Sequence, residues 1–281
     1  MFDNKLIAQD FSKAASQYDE HAVLQQNILQ KLIAKIAPQI ESASKILDAG
    51  CGTGKFATLL PGKEIIGVDI AYDMCKIAEQ NCNLSINADI CNLPFADAYF
   101  DIVVSSAVLQ WVEKPGLAIK EMQRVLKPGG TLAIATFGEK TLCELKSSFA
   151  IIDDYSHVSD FPGIVDPLYK YTNNLGAKLP NPTNLPTGEG SYGKAVTGEG
   201  IFINEKAYKG ESEIITQYFP NLRSIMQHLK AIGARNKMQN RRKGLMTRRQ
   251  LQEIEDYYIA NFSDEQGLRV TWQVDYMIES F

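Results

Sequence analysis

K-I-L-D-A-G-C-G-T-G, residues 45–54, is the stretch on which the reading of this chain turns. A short apolar run, Ile46 and Leu47, ends in the acid Asp48 and then in glycines at alternate positions, Gly50, Gly52 and Gly54. Glycine has no Cβ, so it serves where a backbone turns tightly and a ligand approaches closely. A strand that ends in such a turn and opens into a helix is the usual cradle for a nucleotide-like ligand in a parallel sheet. Two phosphate readings fail on spacing. The dinucleotide fingerprint G-x-G-x-x-G needs its third glycine where Lys55 stands. The P-loop matches Gly54-Lys55, but Ala49 occupies the place of its first glycine and Phe56 that of its magnesium-binding hydroxyl.

Outward from the turn, strand and helix patterns alternate. Strands are expected over 45–49, 64–69, 84–88, 101–105 and 131–137, with helices after Gly54, near 72–80 and over 115–126. Two more strands are expected at 213–219 and 268–277. Such alternation means a parallel sheet wound on both faces, an α/β fold. Ahead of the first strand, Ser12 is expected to cap a short helix through Tyr18. A longer amphipathic helix then carries Leu24, Ile28, Leu32 and Ile36 and closes at Pro38. Asp69 ends the second strand, 19 residues after Gly50, the spacing at which an acid accepts hydrogen bonds from ribose hydroxyls. Asn87-Ala88-Asp89-Ile90 ends the third.

D-A-G-C-G-T-G resembles the first motif of class I S-adenosylmethionine-dependent methyltransferases. The resemblance implies a Rossmann-like, seven-stranded sheet with helices on both faces. N-terminal helices and a helical insert before the last strand would form a substrate cover. It implies S-adenosyl-L-methionine as cofactor, held by Asp48, Ala49, Gly50, Cys51, Gly52, Gly54, Asp69, Ile70, Asp89, Ile90 and Ser105. A narrower resemblance rests on F-S-K-A-A-S-Q-Y-D (11–19), A-V-L-Q-W (107–111), F-G-E-K-T-L-C-E-L (137–145), L-K-A-I-G-A-R-N (229–236), R-K-G-L (242–245) and V-T-W-Q-V-D-Y (270–276). This set is similar to the malonyl-acyl-carrier-protein O-methyltransferases of biotin synthesis, over about residues 8–150 and 211–278. That family methylates the free carboxylate of a malonyl thioester, on acyl carrier protein or coenzyme A, and so starts pimeloyl synthesis. Carried over, Tyr18 and Gln110 face the reacting end as catalytic residues.

The residue chemistry agrees with a carboxylate acceptor. No histidine or acid pair stands out as a general base; His21, His157 and His228 read as surface or satisfied core residues. A carboxylate needs none, being about 99.9% ionised at pH 7. Aligning its oxygen with the sulfonium methyl is catalysis by positioning.

At 281 residues, with 45% hydrophobic and 22% charged residues, the chain is an ordinary globular one. Five cysteines with no C-x-x-C argue for reduced thiols, no disulfide framework and no metal site. The opening M-F-D-N-K-L-I-A-Q-D lacks the features of a signal peptide, so the expectation is a cytoplasmic monomer without membrane or nucleic-acid partners. The net charge of −4 hides eight basic residues and no acid over 230–249. With the family in mind, Arg235, Arg241, Arg242, Arg248 and Arg249 are expected to dock the acidic acyl carrier protein or hold the malonyl carboxylate. The expected layout is a helical cover over 1–44, a cofactor-binding core over 45–150, an irregular connection over 151–210 and a closing part of the same domain over 211–281. The connection is longer than the family leads one to expect, is rich in Pro, Gly, Asn and Thr over 178–210, and repeats T-G-E-G at 187–190 and 197–200. Two rival readings remain open at this level: a methyltransferase acting on RNA or another small acceptor, and an assembly factor that keeps the fold without transferring methyl groups.

Overall fold

A twisted sheet organises the chain, in the order β3-β2-β1-β4-β5-β8-β6. β1 (Lys45–Ala49), β2 (Glu64–Asp69), β3 (Leu84–Asn87), β4 (Phe100–Ser106) and β5 (Leu126–Phe137) are parallel. β6 (Gly210–Phe219) and β8 (Gly267–Ser280) pair antiparallel, and β8 also runs antiparallel to β5. A two-residue β7 (Ser263–Asp264) pairs with β8 off this path. The computed structural model describes residues 4–155, 159, 161, 210–234, 244 and 246–281.

The parallel strands are apolar on both faces because helices cover both. Ile46, Ile65 and Ile102 join one buried cluster, while Leu47, Ile66 and Val103 join the other. The helices are α1 (Asn4–Ala14), α2 (Tyr18–His21), α3 (Val23–Lys35), α4 (Ala37–Ser42), α5 (Lys55–Thr58), α6 (Tyr72–Ala78), α7 (Pro115–Val125), α8 (Cys143–Phe149), α9 (Leu222–Ala231) and α10 (Arg248–Phe262). On the first face α3 buries Leu24, Ile28 and Leu32; on the second α7 buries Ala118, Ile119, Met122 and Val125. From β1 the chain winds outward to β3 and then returns to β4, so strand order reverses between β1 and β4. Ligands of open α/β sheets bind at this reversal, beyond the carboxyl ends of the strands.

Three local expectations need correction. Pro38 opens α4 and does not close α3; its fixed φ and missing N–H suit a first turn, where the N–H has no helical partner anyway. Ser12 lies inside α1, whose Ile7 and Phe11 are one turn apart and line the cleft described below. Its hydroxyl caps a different helix, accepting the Asp73 N–H of α6 at 3.4 Å. The last two strands are longer than the apolar runs suggested, since their outer residues pair with each other. The connection over 162–209, with both T-G-E-G copies, and His157 lie outside the described residues.

Candidate active site

The glycine turn hangs on the end of β2. Gly50 and Cys51 both donate their N–H to the Val68 carbonyl, at 2.7 and 2.9 Å, and the Gly52 N–H donates to Asp69 Oδ2 at 2.9 Å. The first glycine is dictated by geometry. Gly50 has φ +87°, and a Cβ there would lie 2.2 Å from Val108 Cγ2. Gly52 differs: its φ is +52° and a Cβ would meet nothing within 4 Å, so open space lies above the turn. Cys51 points the other way, onto Gly67, where a Cβ would come within 2.7 Å of its sulfur. It is the small apolar residue that this contact needs, and burial raises its thiol pKa.

One cleft brings Gly50, Gly52, Asp69, Ile70, Asp89 and Ile90 together. Asp69 ends β2, with Oδ1 accepting the Ala71 N–H at 2.8 Å; burial raises its pKa although backbone N–H groups pull the other way. Asp89 accepts the Cys91 N–H at 2.8 Å. Asp48 is 4% exposed, and no hydrogen bond reaches its carboxylate among the described residues. Burial first, and the Asp69 charge second, push its pKa up to about 7. A cation beside it would favour its ionised form. Asp48, Asp69 and Asp89 together offer hydrogen-bond acceptors around the space above the glycine turn. Ser105 is corrected by one residue. Its side chain is fully buried and donates to the Ala49 carbonyl at 2.8 Å, tying β4 to β1, while Ser106 on the opposite strand face lines the cleft.

Residues far apart in sequence close the cleft. Asn4, Ile7 and Phe11 of α1 cover it, and Tyr18 of α2 lies where it meets two smaller cavities. One of these, beside Asp48 and the turn, also takes in Gln25 and Lys55. The other is bounded by Phe11, Trp111, Phe137, Phe161 and Trp272, with Gln25 and Gln110 as its amides. Its rings pack edge to face, Phe11 on Trp111 and Trp111 on Phe161, each at 5.7 Å. No charged residue lines this aromatic pocket among those described. Tyr18 is half-buried; burial and the carboxylates of Asp69 and Asp19 hold its phenol well above its usual pKa, so it is a donor and not a base. Gln110 is 2% exposed with both ends engaged: Nε2 donates to the Ala107 carbonyl at 2.7 Å and Oε1 accepts from Thr136 at 2.8 Å. It fixes the loop that bears Trp111 and borders the pocket.

A wider groove of about 650 Å³ shares Phe161 and Ala234 with the aromatic pocket. Leu142, Leu145, Phe149, Leu222 and Leu251 give it apolar walls, and Arg223 and Lys230 also line it. Arg248 and Arg249 stand exposed on the first turn of α10, Arg249 pairing with Glu253, and neither lines a cavity around Tyr18. Arg235, Arg241 and Arg242 lie outside the described residues. Gly233 shows why L-K-A-I-G-A ends α9 as it does. Its φ is +69°, and a Cβ there would sit 2.9 Å from Phe11 Cδ1, so the cover helix rests directly on this glycine. Sequence reading passed over Gln25, Ser106, Phe161 and Trp272 as site residues; only V-T-W-Q-V-D-Y drew notice, as a motif.

Residues 47–134 match a family model described as a methyltransferase domain. Over 277 residues, covering 97% of this chain and 91% of the relative, the sequence is 30% identical to the malonyl-[acyl-carrier protein] O-methyltransferase of Erwinia pyrifoliae. The chain belongs to that family. It is also 33% identical to the biotin biosynthesis bifunctional protein BioHC of Cellvibrio japonicus, over 98% of this chain and 50% of that protein. It thus spans about half the length of such bifunctional relatives. The solved structure of a methyltransferase candidate from Bacillus halodurans C-125 superposes with a TM-score of 0.54 at 17% identity, over 90% of this chain and 97% of that one, which shows the shared fold.

Proposed function

We propose that this protein transfers a methyl group to the free carboxylate of a malonyl thioester carried on acyl carrier protein, the committing step toward a pimeloyl chain and biotin. S-adenosyl-L-methionine, when bound, supplies a methyl carbon made electrophilic by its sulfonium. Asp48 answers the ligand's ammonium, Asp69 its ribose hydroxyls and Asp89 its adenine amino group, while Gly50 and Gly52 let it lie against the turn. The new bond joins a carboxylate oxygen to the methyl carbon, the carbon–sulfur pair stays with sulfur, and no proton moves.

The neutral, base-free lining of the aromatic pocket, whose free volume of about 10 Å³ must widen to admit an acceptor, carries this reading. An amine, carbon or hydroxyl acceptor asks for a group to take its proton. Here the nearest phenol is held protonated and the described walls are neutral. An acceptor that arrives already anionic suits such walls. Anion and cation neutralise each other in the transition state, so an apolar surround favours the transition state over the separated charges. Tyr18 donates to the carboxylate and Gln110 fixes the pocket's edge. The wider groove can carry the thioester arm inward, with Arg223 and Lys230 near its phosphodiester.

Two exposed arginines support an acidic carrier as the partner. Arg248 and Arg249 occupy the first turn of α10, which holds no acid, although the helix dipole favours anions there. That arrangement costs the free protein and suits an anionic visitor. The protein is further read as a monomer of the cytoplasm; no described helix is long and apolar enough to cross a membrane. Labelled S-adenosylmethionine incubated with malonyl-carrier tests the reaction. A base-labile methyl ester on the malonyl group is expected, and alkali-stable label or no transfer would overturn it.

A further inference from the structure

One residue that lines the aromatic pocket carries a buried hydrogen-bond donor with no partner among the described residues. Trp272 is 2% exposed, stands in β8 between the buried Val270 and Val274, and packs on Phe137 with ring centroids 5.2 Å apart. Its indole Nε1–H is buried and has no partner among the described residues. Buried polar groups in folded proteins are nearly always paired, so one left open on a residue that lines a cavity calls for a partner. The same pocket wall holds a second open group, the side-chain carbonyl of Gln25 on α3. A third, the Ser106 hydroxyl, lines the adjoining cofactor cleft. Three of the seven such groups among the described residues thus belong to residues that line the three cavities sharing Tyr18.

An indole nitrogen donates and never accepts. Its missing partner must therefore be an acceptor atom. We propose that Trp272 positions the acceptor by donating its Nε1–H to a carboxylate or thioester oxygen of the malonyl group, and so favours a carboxylate over an ammonium there. This rests on the reaction proposed above. Gln25 is adaptable, since its amide can turn either end toward the ligand. Trp272 is not. An ammonium in the same place would set donor against donor and leave the indole unpaired, the arrangement by which sites reject the wrong substrate.

The test removes the N–H and keeps the ring. Trp272→Phe is one variant; the second places 3-benzothienylalanine at 272 by site-specific incorporation, exchanging N–H for sulfur in nearly the same shape. In both, KM for malonyl-carrier is expected to rise about tenfold or more. The Kd for S-adenosylmethionine is expected to stay within about twofold, because Trp272 does not line the cofactor cleft. An unchanged KM in the benzothienyl protein, with wild type active, overturns the Trp272 assignment alone. Equal losses in KM and cofactor Kd also overturn it, as a packing effect. A wild-type protein that methylates no malonyl thioester overturns the reaction itself and this assignment with it.

Discussion

The two halves of the site are built on different plans. The part proposed for the cofactor is local: Asp48, Gly50, Gly52, Asp69 and Asp89 lie at or just past strand ends of one parallel sheet. The part proposed for the acceptor is assembled at long range, from α1, α2 and α3 at the start of the chain and Phe137, Phe161, Ile232 and Trp272 far along it. A strand end fixes a ligand contact through a few backbone dihedrals. A pocket walled by side chains from distant elements depends on how those elements pack, and that leaves no mark in a short motif.

Substitutions sharpen the contrast, and the largest effect is expected at the turn. Gly50→Ala forces a side chain to φ +87° and against Val108. Loss of cofactor binding by at least about a hundredfold is expected by calorimetry, with about 3 kcal/mol lost from stability.

Asp48 comes next, through pH. Its folded pKa of about 7 exceeds the unfolded value, so the folded state binds the extra proton. Stability therefore falls as pH rises from about 4 to about 7 and is flat above, by at most about 4 kcal/mol. Urea unfolding at pH 5 and pH 8 measures this, and Asp48→Asn should remove the slope. Cofactor affinity should move oppositely, rising through pH 7 in wild type and losing that rise in the variant, if Asp48 meets the ligand's ammonium.

Gly233→Ala tests whether the halves are separable. Gly233 lines neither the cofactor cleft nor the aromatic pocket, yet its hydrogen faces Phe11 on the cover helix. Cofactor Kd should rise about fivefold with about 1–2 kcal/mol lost from stability. An unchanged Kd would mean that the cover does not report on α9. The smallest effect is expected at the surface: Arg248→Glu with Arg249→Glu should raise KM for malonyl-carrier about threefold and leave malonyl-coenzyme A nearly unaffected, since exposed charges are well screened.

What the sequence disclosed follows the same division. Gly50, Asp69 and Asp89, which line one cleft, were legible because each lies at or just past the end of one of three adjacent parallel strands. Ser105 does not line the cleft and its neighbour Ser106 does, since strand alternation decides which of two adjacent serines faces it and neither composition nor motif does. Tyr18 and Gln110 came only through resemblance, and Gln110 proves to spend both ends of its amide on the loop that it holds. Pro38 misled because the residue that stops one helix equally well starts the next. Trp272 reads as core from its apolar neighbours Val270 and Val274; only an unpaired N–H in a pocket wall sets it apart.

The central claim is that the acceptor needs no base, and the pH dependence of kcat tests it most directly. With malonyl-carrier and S-adenosylmethionine both saturating, kcat should be flat from about pH 6 to pH 9, because the malonyl carboxylate is ionised throughout and the Tyr18 phenol stays protonated. A limb rising with pH within that range, lost on substitution of a single titrating residue, would contradict the account.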